Sequence, residues 1–156
     1  MTDEIYETGE DMAITTAGAN TGIVSYGDQL MADVSEQGYF SSFPVETFED
    51  KKKLYQARND NELLRDYMDK PIEVVGFVID TQTINDAEFG AKSVPCLHIV
   101  GADGTCYQST SSGVVKSAID IMTSFGMPDT WAEPVHVVCY ETNTRNGYRY
   151  KQLRVV

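Results

Sequence analysis

Two dipeptides constrain this chain more than any other feature. Asp103-Gly104 and Asn146-Gly147 each lie between runs rich in β-branched and apolar residues. Both are signals of a tight reversal between antiparallel strands, because glycine accepts the positive φ such turns require. The first joins SVPCLHIV to TCYQST, and the second joins VHVVCYETNT to YRYKQLRVV. Between the hairpins, GVVKSAIDIMTSF places Val115, Ala118, Ile119 and Met122 at helical spacing. Ser111 or Ser112 is positioned to cap this helix and Gly126 to end it. Upstream, IEVVGFVIDTQT is apolar almost throughout, so the spacing predicts a strand covered on both faces along part of its length. Gly76 within it marks a bulge or sharp bend.

Strand, strand, strand, helix, strand, strand over residues 70–156 is the chain order of an OB-fold, a small, partly open Greek-key barrel that mainly holds oligonucleotides. The expected class is mainly β with α: a five-stranded barrel with a helix between strands three and four, preceded by short N-terminal helices. INDAEFGAK, between the first two strands, reads as a polar loop carrying Phe89 and Lys92. Residues 42–69 read as a helical lead-in. One helix covers ETFEDKKKLYQARN, broken at Asn59-Asp60, and a second, capped by Asp60, covers ELLRDYMDK and is ended by Pro71. MPDTWAEP, with the single tryptophan Trp131, is a rigid connector in which the indole acts as a packing wedge.

Residues 1–41 show no sustained period and read as an acidic, flexible arm, with a turn of helix near Gln29–Val34. The formal net charge of −12 at first argues against nucleic acid. Its distribution reverses that inference. Residues 1–50 hold 11 acidic side chains and no Lys or Arg, whereas residues 51–156 hold 12 basic against 13 acidic ones. A nearly neutral body with Arg145, Arg149, Lys151 and Arg154 clustered at its end is compatible with a polyanion. The arm reads as a solvated tail, as a nucleic-acid mimic that competes for the basic groove, or as a docking peptide for other proteins such as those of replication or recombination. The run Lys51-Lys52-Lys53 reads as the wet face of a helix, with phosphate contact as the alternative.

No membrane partner is expected, because no run reaches the length of a span and MTDEIYETGEDM lacks an apolar signal core. Three cysteines, Cys96, Cys106 and Cys139, sit inside expected strands and read as reduced, buried thiols of a cytoplasmic protein. Cys96 and His98 share a strand face, but His136 and Cys139 do not, and neither spacing matches a zinc knuckle, so no metal or cofactor is expected. With two histidines and no nucleophile-elbow, P-loop or HExxH pattern, catalysis is not expected either.

Sequence-tolerant binding of single strands needs cations along a groove and aromatic faces for bases. The candidate cations are Lys92, Arg145, Arg149 and Lys151. The candidate rings are Phe77, Phe89, Tyr107, Tyr140, Tyr148 and Tyr150, with Phe77 and Tyr140 also candidates for the core. Oligomeric state is left open, a homo-oligomer included. The bland alternative is a protein–protein adaptor built on the same barrel.

LLRDYMDKPIEVVGFVI, the Asp103-Gly104 hairpin, the small-polar stretch Ser109 to Ser112 and the helix start Gly113-Val114 with Ser117-Ala118 form a pattern. Phe125-Gly126, Trp131-Ala132-Glu133-Pro134 and the basic hairpin Thr144 to Lys151 continue it. In this order the segments resemble the single-stranded DNA-binding proteins of tailed bacteriophages, over about residues 45–156 and including the lysine-rich helix Thr47 to Asn59. The resemblance implies coating of single-stranded DNA in phage DNA replication or recombination, in the host cell cytoplasm.

Overall fold

A pair of unusually long strands dominates the computed structural model, which describes residues 26–156. The first element described is helix α1 (Tyr26–Gln37). The elements that follow are β1 (Phe40–Ser41), α2 (Phe48–Asn59), β2 (Glu62–Leu63) and a 3₁₀ turn (Leu64–Tyr67). Next come β3 (Pro71–Asp86), β4 (Gly90–Gly101), β5 (Cys106–Ser109) and α3 (Ser112–Phe125). A second 3₁₀ turn (Pro128–Thr130), β6 (Val135–Asn143) and β7 (Arg149–Val155) complete the chain.

The strands form one sheet in the order β2-β5-β4-β3-β6-β7, with β1 also paired to β3. It is a curled half-barrel compatible with an OB-like fold. Five strands were expected and seven are found among the described residues. The additions, β1 and β2, are two residues each, too short to leave a period in the sequence. β3 changes partner along one edge: Pro71–Val74 pair with β6, and Val78 and Ile79 pair with β1. Its other edge follows β4 from Val74 to Asp86, and the register slips between Val74 and Gly76. A Cβ on Gly76 would come within 3.2 Å of the Phe43 ring, so glycine here admits Phe43 to the sheet.

Asp80–Asp86 and Gly90–Cys96 pair with each other, while β1 stops at Ile79 and β5 begins at Leu97. This part of the hairpin is therefore a two-stranded ribbon among the described residues. The expected loop INDAEFGAK is mostly strand, because backbone pairing extends the ladder through polar residues that show no apolar alternation.

Alternation splits β3 and β4 into two buried faces. Phe77, Ile79, Leu97 and Ile99 lie on one, fully buried. Val78 and Val100 lie on the other, where Phe43, Leu54, Ala57 and Cys106 pack with them. Leu54 and Ala57 are the buried residues of α2, so this helix covers the second face. Its start is held by a reciprocal cap: Asp50 N–H donates to Thr47 Oγ1 at 3.0 Å, and Thr47 N–H donates to Asp50 Oδ2 at 3.1 Å. The backbone bonds from Thr47 and Glu46 hold the Asp50 carboxyl below its usual range.

Three expectations before Pro71 are corrected. Residues 26–41 contain a 12-residue helix and a strand rather than one turn of helix in a loose arm. Residues 1–25 of the expected arm lie outside the described residues. Asp60 is the C-cap of α2, not the start of a second α-helix, and residues 62–67 form β2 and a 3₁₀ turn. Pairing of β2 with β5 overrides the helical stripe of ELLRDYMDK.

α3 starts at Ser111 and is closed by Gly126, whose φ is +83° and whose N–H donates to Met122 O. It lies along the outer edge of β7, with Leu153 N–H donating to Ser117 Oγ at 3.1 Å. Gly113 faces the Lys151 carbonyl so closely that no Cβ fits between them. Trp131 does act as a wedge: its ring meets Phe77 and Phe125 edge-on, and its indole N–H donates to Gly126 O.

Candidate nucleic-acid interface

The α2-covered face of the sheet continues along β3, since every second residue points the same way. After Val78 come Asp80, Gln82 and Ile84. Asp80 is buried and accepts from two cationic or polar side chains. Arg58 Nε donates to its Oδ2 at 2.9 Å, and His98 Nε2 lies 2.8 Å from its Oδ1. His98 Nδ1 lies 3.1 Å from Asn61 Oδ1. Burial pushes the Asp80 carboxyl up, but the His98 bond and charge, followed by those of Arg58, outweigh it, so the group sits below its usual range. The network fastens the end of α2 to the sheet.

Beyond Asp80 the face opens into a cleft of about 400 Å³. Arg65 and Lys151 supply its cations, and Gln82 and Gln108 its amides. Ser109, Thr110 and Ser111 supply hydroxyls, with Leu63 and Ile84 as apolar sides. A second cleft of about 450 Å³ shares Ile84 and Thr110 with the first and adds Lys92 and Lys116. Among the described residues, no carboxylate lines either cleft. Neither Arg65 nor Lys151 is in an ion pair with a described residue. Lys92 is 3.7 Å from Asp86, and Lys116 is 3.0 Å from Asp120. The N-terminal end of α3 also borders both clefts, through Ser111 and Ser112, without an acidic residue in its first turn. Its dipole adds partial positive charge there.

The expected site residues are spread over several surroundings. Lys151 and Lys92 line the two clefts. Tyr148 is 71% exposed, Tyr150 38% and Phe89 75%, and Phe89 stands at the ribbon's tip. Arg145 and Arg149 are exposed near the β6–β7 turn, and Arg149 donates to Glu141 Oε1 at 2.7 Å, which holds that carboxyl below its usual range. Tyr140 is half-buried; its hydroxyl donates to Gln152 Oε1 at 2.7 Å, and Arg154 lies 4.9 Å from its ring centre. Phe77 and Tyr107 correct the expectation. Phe77 is completely buried against Trp131, and Tyr107 is 8% exposed with its ring edge-on to Tyr67 at 5.0 Å. Both are on the inward face set by the register Phe77↔Ile99↔Tyr107.

Further residues line the first cleft or stand exposed on α2 without being singled out by the sequence. Arg65, Gln82 and Gln108 reach the cleft from three separate elements. Phe48 and Tyr55 of α2 are 75% and 70% exposed, and Lys52 lies 5.7 Å from the Phe48 ring centre. Their seven-residue spacing around a lysine run was the available signal, since residues seven apart share a helix face.

Asp80, Cys96 and His98 bring three potential metal-ligand atoms within 4.8 Å of one another. Asp80 completes a group of which the sequence displays only the Cys-x-His half. Its chemistry is that of the hydrogen-bonded network: Arg58 occupies Asp80, both His98 nitrogens have partners, and burial pushes the Cys96 thiol up to about 12. Cys106 and Cys139 are likewise free and buried, and burial raises the Cys139 thiol to about 11.

Residues 33–155 match the family model described as phage single-stranded DNA-binding protein. The chain belongs to that family. The matched span of this phage single-stranded DNA-binding protein contains both clefts, the exposed rings of α2 and the β6–β7 hairpin. No curated protein and no solved structure matches the chain. No helix among the described residues is long and apolar enough to cross a membrane.

Proposed function

We propose that this protein coats single-stranded DNA without strong sequence preference, as a non-catalytic OB-type module serving phage DNA replication or recombination. One observation carries the reading: in a chain of net charge −12, two adjoining clefts on one sheet face gather four cations and, among the described residues, no carboxylate. Arg65, Lys92, Lys116 and Lys151 then follow phosphates. Phe48, Tyr55, Phe89, Tyr148 and Tyr150 supply ring faces for bases, and every base has a π-face, which keeps binding tolerant of sequence. Arg145 and Arg149 extend the positive path along the β6–β7 hairpin. The acidic N-terminal segment contacts replication or recombination proteins in this reading.

The test is a fluorescence anisotropy titration of the full chain with labelled oligo-dT and with a duplex of equal length. Saturable binding of the single strand, weaker for the duplex and falling as salt rises, is the expected result. No binding of either at low salt would overturn the reading in favour of a protein–protein adaptor.

A further inference from the structure

The Arg65–Lys151 cleft contains more than a phosphate path requires. Gln82 Nε2 donates to Gln108 Oε1 at 3.2 Å, joining β3 to β5 across β4. That bond uses one of the four amide hydrogens of the pair and leaves three, together with the Gln82 carbonyl oxygen, without a described protein partner. Both side chains are half-buried and line the cleft between Leu63 and Ile84. A phosphate accepts hydrogen bonds and offers none, so it leaves the free carbonyl oxygen of this pair unmatched. A nucleobase edge carries donors and acceptors together and has two apolar faces.

We infer that this cleft is a base pocket: one unstacked base of the bound strand enters between Leu63 and Ile84, with its edge on the Gln82–Gln108 amides. Arg65 and Lys151 hold the phosphates on either side of it. The proposal rests on the single-stranded DNA reading and gives that site its selectivity for unpaired strands, since a base within a duplex has its edge engaged and its faces stacked. The two amides can exchange donor and acceptor roles while keeping their mutual hydrogen bond, so either arrangement offers both donors and an acceptor and the pocket takes any base. The volume of about 400 Å³ falls within the ~300–1,000 Å³ range of small-molecule sites.

The experiment compares oligo-dT with an abasic strand of equal length and charge, using the full-length protein and its Gln82→Leu, Gln108→Leu double variant. The variant should bind oligo-dT about tenfold more weakly, as expected for two neutral hydrogen bonds. It should bind the abasic strand like the wild type, with the same salt slope. Equal weakening on both strands, or none on oligo-dT, overturns the base pocket while leaving single-strand binding intact. If the wild type binds neither strand, the underlying reading fails and the pocket with it. A second measurement needs no variant: oligo-dT carrying 4-thiothymidine is photocrosslinked to the wild-type protein. Crosslinks should map to peptides containing Leu63, Gln82 or Gln108; crosslinks confined to α2 and the β6–β7 hairpin overturn the proposal.

Discussion

Removing two cations of the cleft, with Arg65→Ala and Lys151→Ala together, tests the electrostatic core of the reading. Four cations line the adjoining clefts. If each neutralises one phosphate, the logarithm of affinity should fall against the logarithm of salt with a slope of about −2.8 for a single strand. Between 50 and 200 mM salt that slope costs the wild type about 50-fold in affinity. The double variant keeps two contacts, so its slope should be about −1.4 and its loss about sevenfold over the same range. Both side chains reach the cleft from its rim, and neither is in an ion pair with a described residue, so the fold should tolerate their loss. Anisotropy titrations of labelled oligo-dT at five salt concentrations give both slopes. A variant that binds more weakly but with an unchanged slope would refute the reasoning, because lost affinity without lost counterion release means that neither cation meets a phosphate.

Three further outcomes are expected. Phe48→Ala with Tyr55→Ala, and separately Tyr148→Ala with Tyr150→Ala, should each weaken oligo-dT binding through lost stacking of ~1–3 kcal/mol per base; thermal melts unchanged by more than a few degrees would separate this from unfolding. Asp80→Asn should lower stability by about 3 kcal/mol, since it leaves buried His98 and half-exposed Arg58 without their anion, or about 6–12 °C in Tm for a domain of this size. The Asp80 carboxyl is held below its usual range in the folded state, so its stabilisation is complete above about pH 4 and disappears as pH falls through the depressed value. Wild-type and variant melting temperatures should therefore converge in acid, and a gap independent of pH would count against the network. Gly113→Val should destabilise severely, because its side chain has no room beside the Lys151 carbonyl; a variant melting like the wild type would show that α3 can leave the strand edge.

Much of the fold was legible because its signals are local. Asp103-Gly104 and Asn146-Gly147 do make the expected turns, with Gly104 and Gly147 at φ of +91° and +82°. The stripe of α3 and its closing Gly126 needed no tertiary information either. β1 and β2 exist only through their pairing with β3 and β5, and nothing in FS or EL announces a strand. The ribbon was hidden because its polar residues are held by backbone bonds, which carry no side-chain signature. For the candidate interface, exposure decided what composition could not. Tyr107 and Tyr148 look alike in sequence, both in alternating strands beside polar residues, yet register turns one inward and leaves the other near a turn. The cleft could not be read at all, since Arg65, Gln82, Gln108 and Lys151 come from the first 3₁₀ turn, β3, β5 and β7.

The seat of α3 on β7 has a consequence for crowding. Wherever copies of one protein meet at high local density, bare strand margins invite neighbouring molecules to fuse into shared sheets. With Leu153 N–H donating to Ser117 and the Lys151 carbonyl covered by Gly113, that margin is already spoken for. Copies of this protein brought together at this rim can thus press side by side without zipping into a shared sheet.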